Sequence, residues 1–143
     1  MKKEIKTTIR YGVVILVLFG VSFQSLAADV MTSVQQVLSN PSAFHRHDVV
    51  LKGRLMLVGQ LEGKNAAGAP ICGPTFALDD DTGEIRVIYL IRCDEQELSR
   101  VSAMAGGRAI VYATIDSITV TINAEGSESR IRAMATKIQR EDK

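Results

Sequence analysis

The sequence predicts a mainly β domain, because apolar and polar residues alternate over five separate stretches. The chain has 143 residues, a length that suits one domain, and its 46% hydrophobic and 23% charged residues indicate a globular fold. A helical stretch lies between the third and fourth strands, and a short helix precedes the first strand. This order is typical of a five-stranded OB-fold barrel, whose small interior is filled by side chains. A β-sandwich or an α+β sheet is the alternative.

Residues 1–27 have the three parts of a secretory signal peptide. Basic residues occupy four of the first ten positions, an apolar run follows over residues 11–23, and Ser25 and Ala27 stand at −3 and −1 of a cleavage site. Because a membrane-spanning helix needs about 20 apolar residues, we expect cleavage after Ala27 rather than a retained anchor. The short, lysine-rich leader is typical of bacteria. We therefore expect residues 28–143 to be a periplasmic OB-fold domain with no stable membrane span.

Cleavage would leave a slightly acidic domain. Residues 1–27 hold four of the 17 Lys and Arg and one of the 16 Asp and Glu, so residues 28–143 carry a net charge of −2. Proteins that bind a phosphate backbone normally carry an excess of Lys and Arg on the binding face. The bulk charge therefore argues against nucleic acid as the partner.

Residues 31–40 are predicted to form the short N-terminal helix. Thr32 or Ser33 can cap it, with a glutamine three residues later as a capping box requires. Val34 and Val37 lie on one apolar stripe, three residues apart. The Asn-Pro pair that follows ends the helix, since the residue before proline avoids the helical region.

Residues 47–60 are predicted to form the first strand. Leu51 and Leu55 belong to the alternating set that should face the core. Gly53 within the same set suggests a bend or a bulge. Residues 62–70 are rich in Gly and Ala and have no apolar pattern, so we expect a loop there.

Residues 71–79 and 84–92 are predicted to form a hairpin around the turn at residues 80–83. The Asp-Thr-Gly sequence in this turn favours a tight reversal of the chain. Pro74 within the second strand implies a sheet edge or a bulge, because proline cannot donate to the ladder.

The second helix begins at Asp94, which can cap it, with Glu97 three residues later as a second capping box. A Gly-Gly pair ends this helix. Residues 108–122 and 130–139 alternate as the last two strands, although the final stretch would also suit a helix.

The two cysteines, Cys72 and Cys93, both lie in the part expected to be exported. Their spacing is not that of a C-x-x-C redox pair. An even number of cysteines in an oxidising compartment predicts a structural disulfide. Two buried thiols or two metal ligands are the alternatives.

Three segments resemble known OB-fold proteins. Residues 76–87 (FALDDDTGEIRV) resemble the second and third strands of the bacterial periplasmic OB-fold (BOF) group, and residues 107–115 (GRAIVYATI) resemble its fourth strand. Residues 37–53 are similar to the first helix and strand of tRNA-anti-like OB-fold proteins. The resemblance covers most of residues 34–138 and implies export and a barrel. It implies no catalytic residue and no particular ligand.

The aromatic candidates for ligand binding are few. Phe76 and Tyr89 lie on the second and third strands, where OB-folds stack bases on aromatic rings. Their apolar neighbours on the same faces favour the alternative that both rings fill the barrel. Tyr112 shares a face with Thr114 and should be more exposed.

Basic side chains could form a strip across the strands, although acidic neighbours favour ordinary surface ion pairs instead. Together with the aromatic residues, this strip defines the predicted ligand-binding set. Its members are Lys52, Arg54, Phe76, Arg86, Tyr89 and Tyr112.

Two groups of polar residues contain the residue types that bind metal ions. His45 and His47 would project to the same side of an extended chain and could hold zinc or copper if a third ligand came from elsewhere. The simpler interpretation is that His45 and His47 are exposed polar residues that bind no metal. Residues 79–84 are acidic but lack the spacing of a calcium loop, so we expect a solvated hairpin tip. We expect no metal and no cofactor.

The sequence has no G-x-S-x-G, H-E-x-x-H or phosphate-loop motif. It therefore predicts a non-enzymatic module that binds a protein or a small ligand in the bacterial envelope. Binding of single-stranded nucleic acid or oligosaccharide through the second and third strands is one alternative. Metal binding at His45 and His47 is another.

Overall fold

The computed structural model describes residues 30–123 and 126–141. This part of the chain contains short helices at its start and in its middle, and strands elsewhere. In chain order the elements are α1 (Val34–Ser39), α2 (Pro41–Phe44), β1 (Asp48–Lys64), β2 (Pro70–Asp79), β3 (Glu84–Ile88), β4 (Ile91–Arg92), α3 (Glu95–Ser102), β5 (Arg108–Asn123) and β6 (Gly126–Arg140).

Five of the strands close into a ring. The sheet order is β1-β5-β6-β3-β2-β4, and an additional pairing of β1 with β2 joins the two ends of the barrel. All pairs in the ring are antiparallel except β3 with β6, which are parallel. Because β4 pairs only with β2, it lies outside the ring, and α3 connects the third ring strand to the fourth. The predicted OB-fold barrel is therefore confirmed.

Both long hairpins extend further than the sequence predicts. The β1–β2 ladder continues to Lys64 opposite Pro70, so the loop predicted over residues 62–70 shrinks to a five-residue turn. The β5–β6 ladder continues to Asn123 opposite Gly126. The far half of β1 is exposed on both faces. Because a strand exposed on both faces has no alternation of apolar and polar residues, the sequence did not predict the full length of β1.

The third predicted strand, residues 84–92, is two strands. β3 ends at Ile88 and β4 begins at Ile91. The interruption lies beside Pro74 of β2, whose carbonyl accepts the N–H of Tyr89 at 3.1 Å. Since proline has no N–H group, Pro74 cannot donate the second hydrogen bond of this pair to the Tyr89 carbonyl, and the regular ladder stops there.

The barrel interior is aliphatic around one aromatic ring. Inward residues of β1 and β5 are buried as the alternation predicts, and Val101 of α3 is also fully buried. Gly53 lies against the end of β2, and a Cβ added there would overlap the backbone carbonyl of Asp79. The largest fully buried side chains are Phe76, Leu51, Leu55, Leu78 and Ile115.

The turn between β2 and β3 packs against the first turn of α1. The Asp80 carboxylate accepts the Val34 N–H at 2.8 Å, and the Thr82 hydroxyl oxygen accepts the Gln35 N–H at 3.1 Å. The capping box expected at Thr32 or Ser33 is present at Ser33. Together these bonds satisfy N–H groups that the helix itself leaves without partners. Asp79, Asp81, Thr82 and Glu84 are exposed, as expected of a hairpin tip. The turn also holds α1 on the barrel through Asp80 and Thr82.

The same bonds change the acidity of Asp80. Partial burial raises the pKa of this carboxyl group, but hydrogen bonds from the Thr82 hydroxyl and from three backbone N–H groups lower the pKa by more. The pKa of Asp80 is therefore below its usual value. The folded protein favours the charged form.

We expect Asp80→Asn to lower the free energy of unfolding by about 1–2 kcal/mol at neutral pH, because an amide accepts these N–H groups less well. The contribution of Asp80 is complete above its unfolded-state pKa of about 4 and is lost as the pH falls through the lower folded-state pKa. Urea denaturation at several pH values should show that the free energies of unfolding of the parent protein and of Asp80→Asn become equal at acidic pH. Asp81→Asn, the same change on the same turn, is the control. A difference in free energy of unfolding between the parent and Asp80→Asn that does not vary with pH would contradict this prediction.

The signal peptide predicted over residues 1–27 lies outside the described residues. Within residues 30–123 and 126–141, none of the helices has the length and apolar character needed to cross a membrane.

Candidate functional site: a groove between two hairpins

A groove of about 760 Å³ lies on the outer surface of the barrel, between the β1–β2 and β5–β6 hairpins. It crosses all five ring strands. The lining residues that the structure describes include no acidic and no aromatic side chain. They come from residues 58–61 of β1, Thr75 of β2, Arg86 and Ile88 of β3, Ile118 of β5 and residues 130–132 of β6.

A bulge in β1 determines which of its side chains face the groove. The β1–β2 register shifts by one residue, since Leu57 lies opposite Phe76 whereas Gly59 lies opposite Thr75. Residues directly opposite one another share a face of the sheet. The shift therefore places Gly59 and Leu61 on the groove face with Thr75, whereas strict alternation would place them on the Phe76 face.

The end of the groove near β1 is aliphatic. A Cβ added at Gly73 would meet Leu90 at 3.0 Å and both Ile88 and Leu61 at 3.4 Å. These three side chains thus converge over the bare backbone of Gly73. Leu61 and Leu90 remain about half exposed, with relative accessibilities of 49% and 47%. We call Val58, Leu61 and Ile88 the aliphatic bank.

The part of the groove formed by β3 and β6 contains three arginines. Arg86 of β3 lies opposite Arg132 of β6, and Arg130 lies two residues further along the same strand. Arg132 donates to Asp116 Oδ2 from Nε at 2.9 Å and from Nη2 at 2.7 Å. Arg86 is exposed and forms no ion pair with any other described residue. We call Arg86, Arg130 and Arg132 the arginine bank.

The two predicted strand aromatics do not line the groove. Phe76 is fully buried in the barrel. Tyr89 is partly buried and packs against the same core. The interpretation of Phe76 as a surface platform for a ligand is therefore replaced by core packing, because its face of β2 points inward.

Three further candidates lie on a different surface, formed by β1 and β5. Lys52 Nζ pairs with Glu141 Oε1 at 2.6 Å, and Glu141 also accepts from Arg108 at 3.2 Å. Tyr112 is partly buried beneath the Lys137 ammonium group, which lies 5.3 Å from the ring centroid. Neither these residues nor the exposed Arg54 line the groove. Of the six predicted binding residues, the groove contains Arg86 alone.

The pair of histidines has a structural contact. His45 Nδ1 accepts the backbone N–H of Ser117 at 3.1 Å, which ties the end of α2 to β5. Arg46 has a positive φ of 61°, so the chain is not extended between His45 and His47. The geometry that would place both imidazoles on one side is therefore absent. Within the described residues, no three His, Cys, Asp or Glu side chains gather as a metal site.

The predicted cysteine pair forms a disulfide. Cys72 of β2 and Cys93, just after β4, have Cα atoms 5.0 Å apart. Cys72 is buried and Cys93 is exposed. The bond fastens β4 and the start of α3 to β2, next to Gly73 at the aliphatic end of the groove.

Sequence reasoning missed most of the groove. The run of four apolar residues over 55–58 was a signal, because strict alternation buries only two of them. Arg130 and Arg132 also alternate around Ile131, which predicts two outward cations on a strand. Neither signal shows that the two segments meet across β3.

No family model and no curated protein matches the sequence. A solved structure described as an aspartyl-tRNA synthetase from Leishmania major Friedlin is 18% identical with a TM-score of 0.47. The alignment covers 82% of this chain and 22% of that one, so this chain spans less than a quarter of its length. The OB-fold assignment rests on this chain's own strand order and closure.

Two bacterial structures are also similar. One is the small single-stranded DNA-binding protein from Streptomyces coelicolor, at 13% identity and a TM-score of 0.43, covering 67% of this chain and 94% of that chain. The other is the SSB domain of a Synechococcus sp. protein, at 10% identity and a TM-score of 0.42, covering 67% and 97% of the two chains.

Proposed function

We propose that this protein is a non-enzymatic, exported binding module that holds a segment of a partner protein of the bacterial envelope in the groove. The observation that carries this proposal is the presence of the aliphatic bank and the arginine bank in one depression. A groove that crosses five strands suits a chain-like ligand. Its aliphatic side favours apolar side chains, and its basic side favours carboxylates.

The groove supports a polypeptide better than a single-stranded nucleic acid. Proteins that bind single strands stack the bases on aromatic rings, which contribute about 1–3 kcal/mol per base. The described lining residues include no aromatic ring. The part of the chain expected to be exported is also slightly acidic, which opposes a polyanion.

Export is supported by three features together. The leader has the order of a signal peptide, and several segments resemble periplasmic OB-fold proteins. The Cys72–Cys93 disulfide is the kind of bond that persists in oxidising compartments. A partner would therefore be met in the envelope.

Arg86→Glu should weaken binding of acidic, aliphatic peptides about tenfold, because it removes one ion pair and adds a repulsion of similar size. The probe is a fluorescein-labelled set of peptides about eight residues long, with Glu or Val at every position, followed by fluorescence anisotropy. Arg100→Glu is the matched control. Arg100 is an exposed cation on α3, outside the groove, and its change should have less than about a twofold effect.

Two outcomes of the same titration would contradict the proposal. If the unaltered protein does not bind the peptides, or if both variants lose affinity equally, the groove is not a peptide site. If labelled oligothymidylate binds more tightly than the peptides, with a steep salt dependence that Arg86→Glu reduces, the function is nucleic-acid binding.

A further inference from the structure

We propose that the partner segment carries its aliphatic residues and its acidic residues in two consecutive blocks. This inference rests on the proposed function and specifies the ligand of the same groove. It follows from the order in which the groove presents aliphatic and cationic side chains to a chain that crosses the strands.

The residues that line the groove follow the order of the ring strands. From residues 58–61 of β1 the groove passes over Thr75 of β2 to β3, and then to residues 130–132 of β6. Among the described residues, β2 and β5 each contribute one lining residue and β3 contributes two. A chain that occupies the groove therefore passes from strand to strand.

The part of the groove that begins at β1 is apolar. Leu61 of β1 and Ile88 of β3 would each lie 3.4 Å from a Cβ added at Gly73, and Leu90 would lie 3.0 Å from it. These three side chains meet above β2 because Gly73 has no side chain of its own. Between β1 and β3, the lining residues that the structure describes carry no charge.

The arginines follow the aliphatic side chains in this order. Ile88 and Arg86 lie on the same face of β3, about 6.6–6.8 Å apart along the strand. Arg132 lies opposite Arg86 on the neighbouring strand, at a strand spacing of about 4.7–4.9 Å. Ile118 of β5 lies opposite Arg130, so it comes after the arginines and does not separate them from Ile88.

Two of the arginines have donors for a ligand. Arg86 is exposed in the groove and forms no ion pair with another described residue. Arg132 directs Nε and Nη2 to a single oxygen of Asp116, so it retains further N–H groups among the five of a guanidinium. Arg130 takes part in an interaction of its own. Arg86 and Arg132 are therefore the donors that we assign to the acidic block.

The distances across the sheet determine the length of the aliphatic block. The path from β1 to β3 covers two strand spacings, or about 9–10 Å, and an extended chain covers this distance in about three residues. A carboxylate among these residues would lose contact with water and gain no donor, which is unfavourable. The next residues face Arg86 and Arg132, where carboxylates form charge-assisted hydrogen bonds. About three aliphatic residues should therefore precede the acidic ones.

Three peptides of identical composition test the block order. Each is capped at both ends and contains four Val and four Glu: one has the valines first, one has the glutamates first, and one alternates the two. Both block orders are needed because the strand order does not fix the direction of the bound chain. We expect one of the block peptides to bind at least about tenfold more tightly than the alternating peptide in fluorescence anisotropy, since about half of the alternating residues would be mismatched.

Variants of β1 test the apolar part of the groove. Leu61→Gln should weaken binding of the tighter block peptide about fivefold, because Leu61 is 49% accessible on the groove face. Leu57→Gln is the matched control, since Leu57 is 47% accessible but lies opposite the inward-facing Phe76. Its effect should be less than about twofold.

The outcomes separate this inference from the function on which it rests. Equal affinity for all three peptides, or tightest binding of the alternating one, would overturn the block order; loss of that binding in Arg86→Glu would then leave the peptide site intact. Equal effects of Leu61→Gln and Leu57→Gln would exclude the apolar part of the groove as the contact for the valines and would also overturn the inference. Absence of binding by all three peptides would remove the proposed function together with this inference.

Discussion

Phe76→Ala should lower the free energy of unfolding by about 3–5 kcal/mol, the largest effect expected of any single substitution in this protein. Phe76 is fully buried, and among the described residues it is the largest of the fully buried side chains. Its loss removes apolar surface from the core and leaves a cavity between β1, β2 and β3. Since small domains are stable by only about 5–15 kcal/mol, the midpoint of urea denaturation should fall sharply.

Phe76→Leu distinguishes packing from ligand stacking. A leucine keeps most of the volume, so we expect a cost of less than about 1.5 kcal/mol and no change in peptide binding. If Phe76→Ala left the urea midpoint unchanged and abolished binding of a labelled oligonucleotide, Phe76 would be a stacking residue. Its assignment to the core would then be wrong.

Loss of the disulfide should have the second largest effect. The bond joins residues separated by 21 positions, and a loop of this size contributes about 3 kcal/mol by restricting the unfolded chain. The double variant Cys72→Ala and Cys93→Ser suits the test, because Cys72 is buried and Cys93 is exposed. Its urea midpoint should fall by the corresponding amount.

The reduced parent protein is the control for this variant. If the cross-link is responsible, adding a dithiol to the parent should lower its midpoint to nearly that of the double variant, and the dithiol should not affect the variant. Before reduction, iodoacetamide should modify no thiol even in urea, as judged by mass spectrometry. Two modified cysteines in the untreated protein would refute the disulfide.

Much of the barrel could be predicted because the alternation of apolar and polar residues along each strand indicates which side chains are buried. Leu51 and Leu55 are separated by Gly53 and alternate with outward residues, and all three face inward in the structure. The position of α3 was also predictable, since Asp94 caps it with a bond to the Glu97 N–H at 3.0 Å. Local chemistry alone specifies these features.

The candidate site could be predicted only at Arg86. Lys52 appeared equivalent to Arg86 in the sequence, because both are cations at outward positions of strands. The structure pairs Lys52 with Glu141, whereas Arg86 faces the groove opposite Arg132. No periodicity distinguishes two outward cations, since the difference depends on which distant segment lies beside each of them.

The sequence by itself determined the succession of the five ring strands and α3, the inward residues of β1 and the cysteine pair, because alternation and residue types can be read directly from the chain. Only the tertiary structure decided where a ligand could lie. The bulge at Val58 turns Leu61 towards the groove, and closure of the barrel brings it to the same depression as residues 130–132. The hydrogen bond from the Val34 N–H to Asp80 also depends on tertiary structure, because it joins residues that are 46 positions apart. Register and long-range closure set such contacts, and neither leaves a periodic signal in the chain.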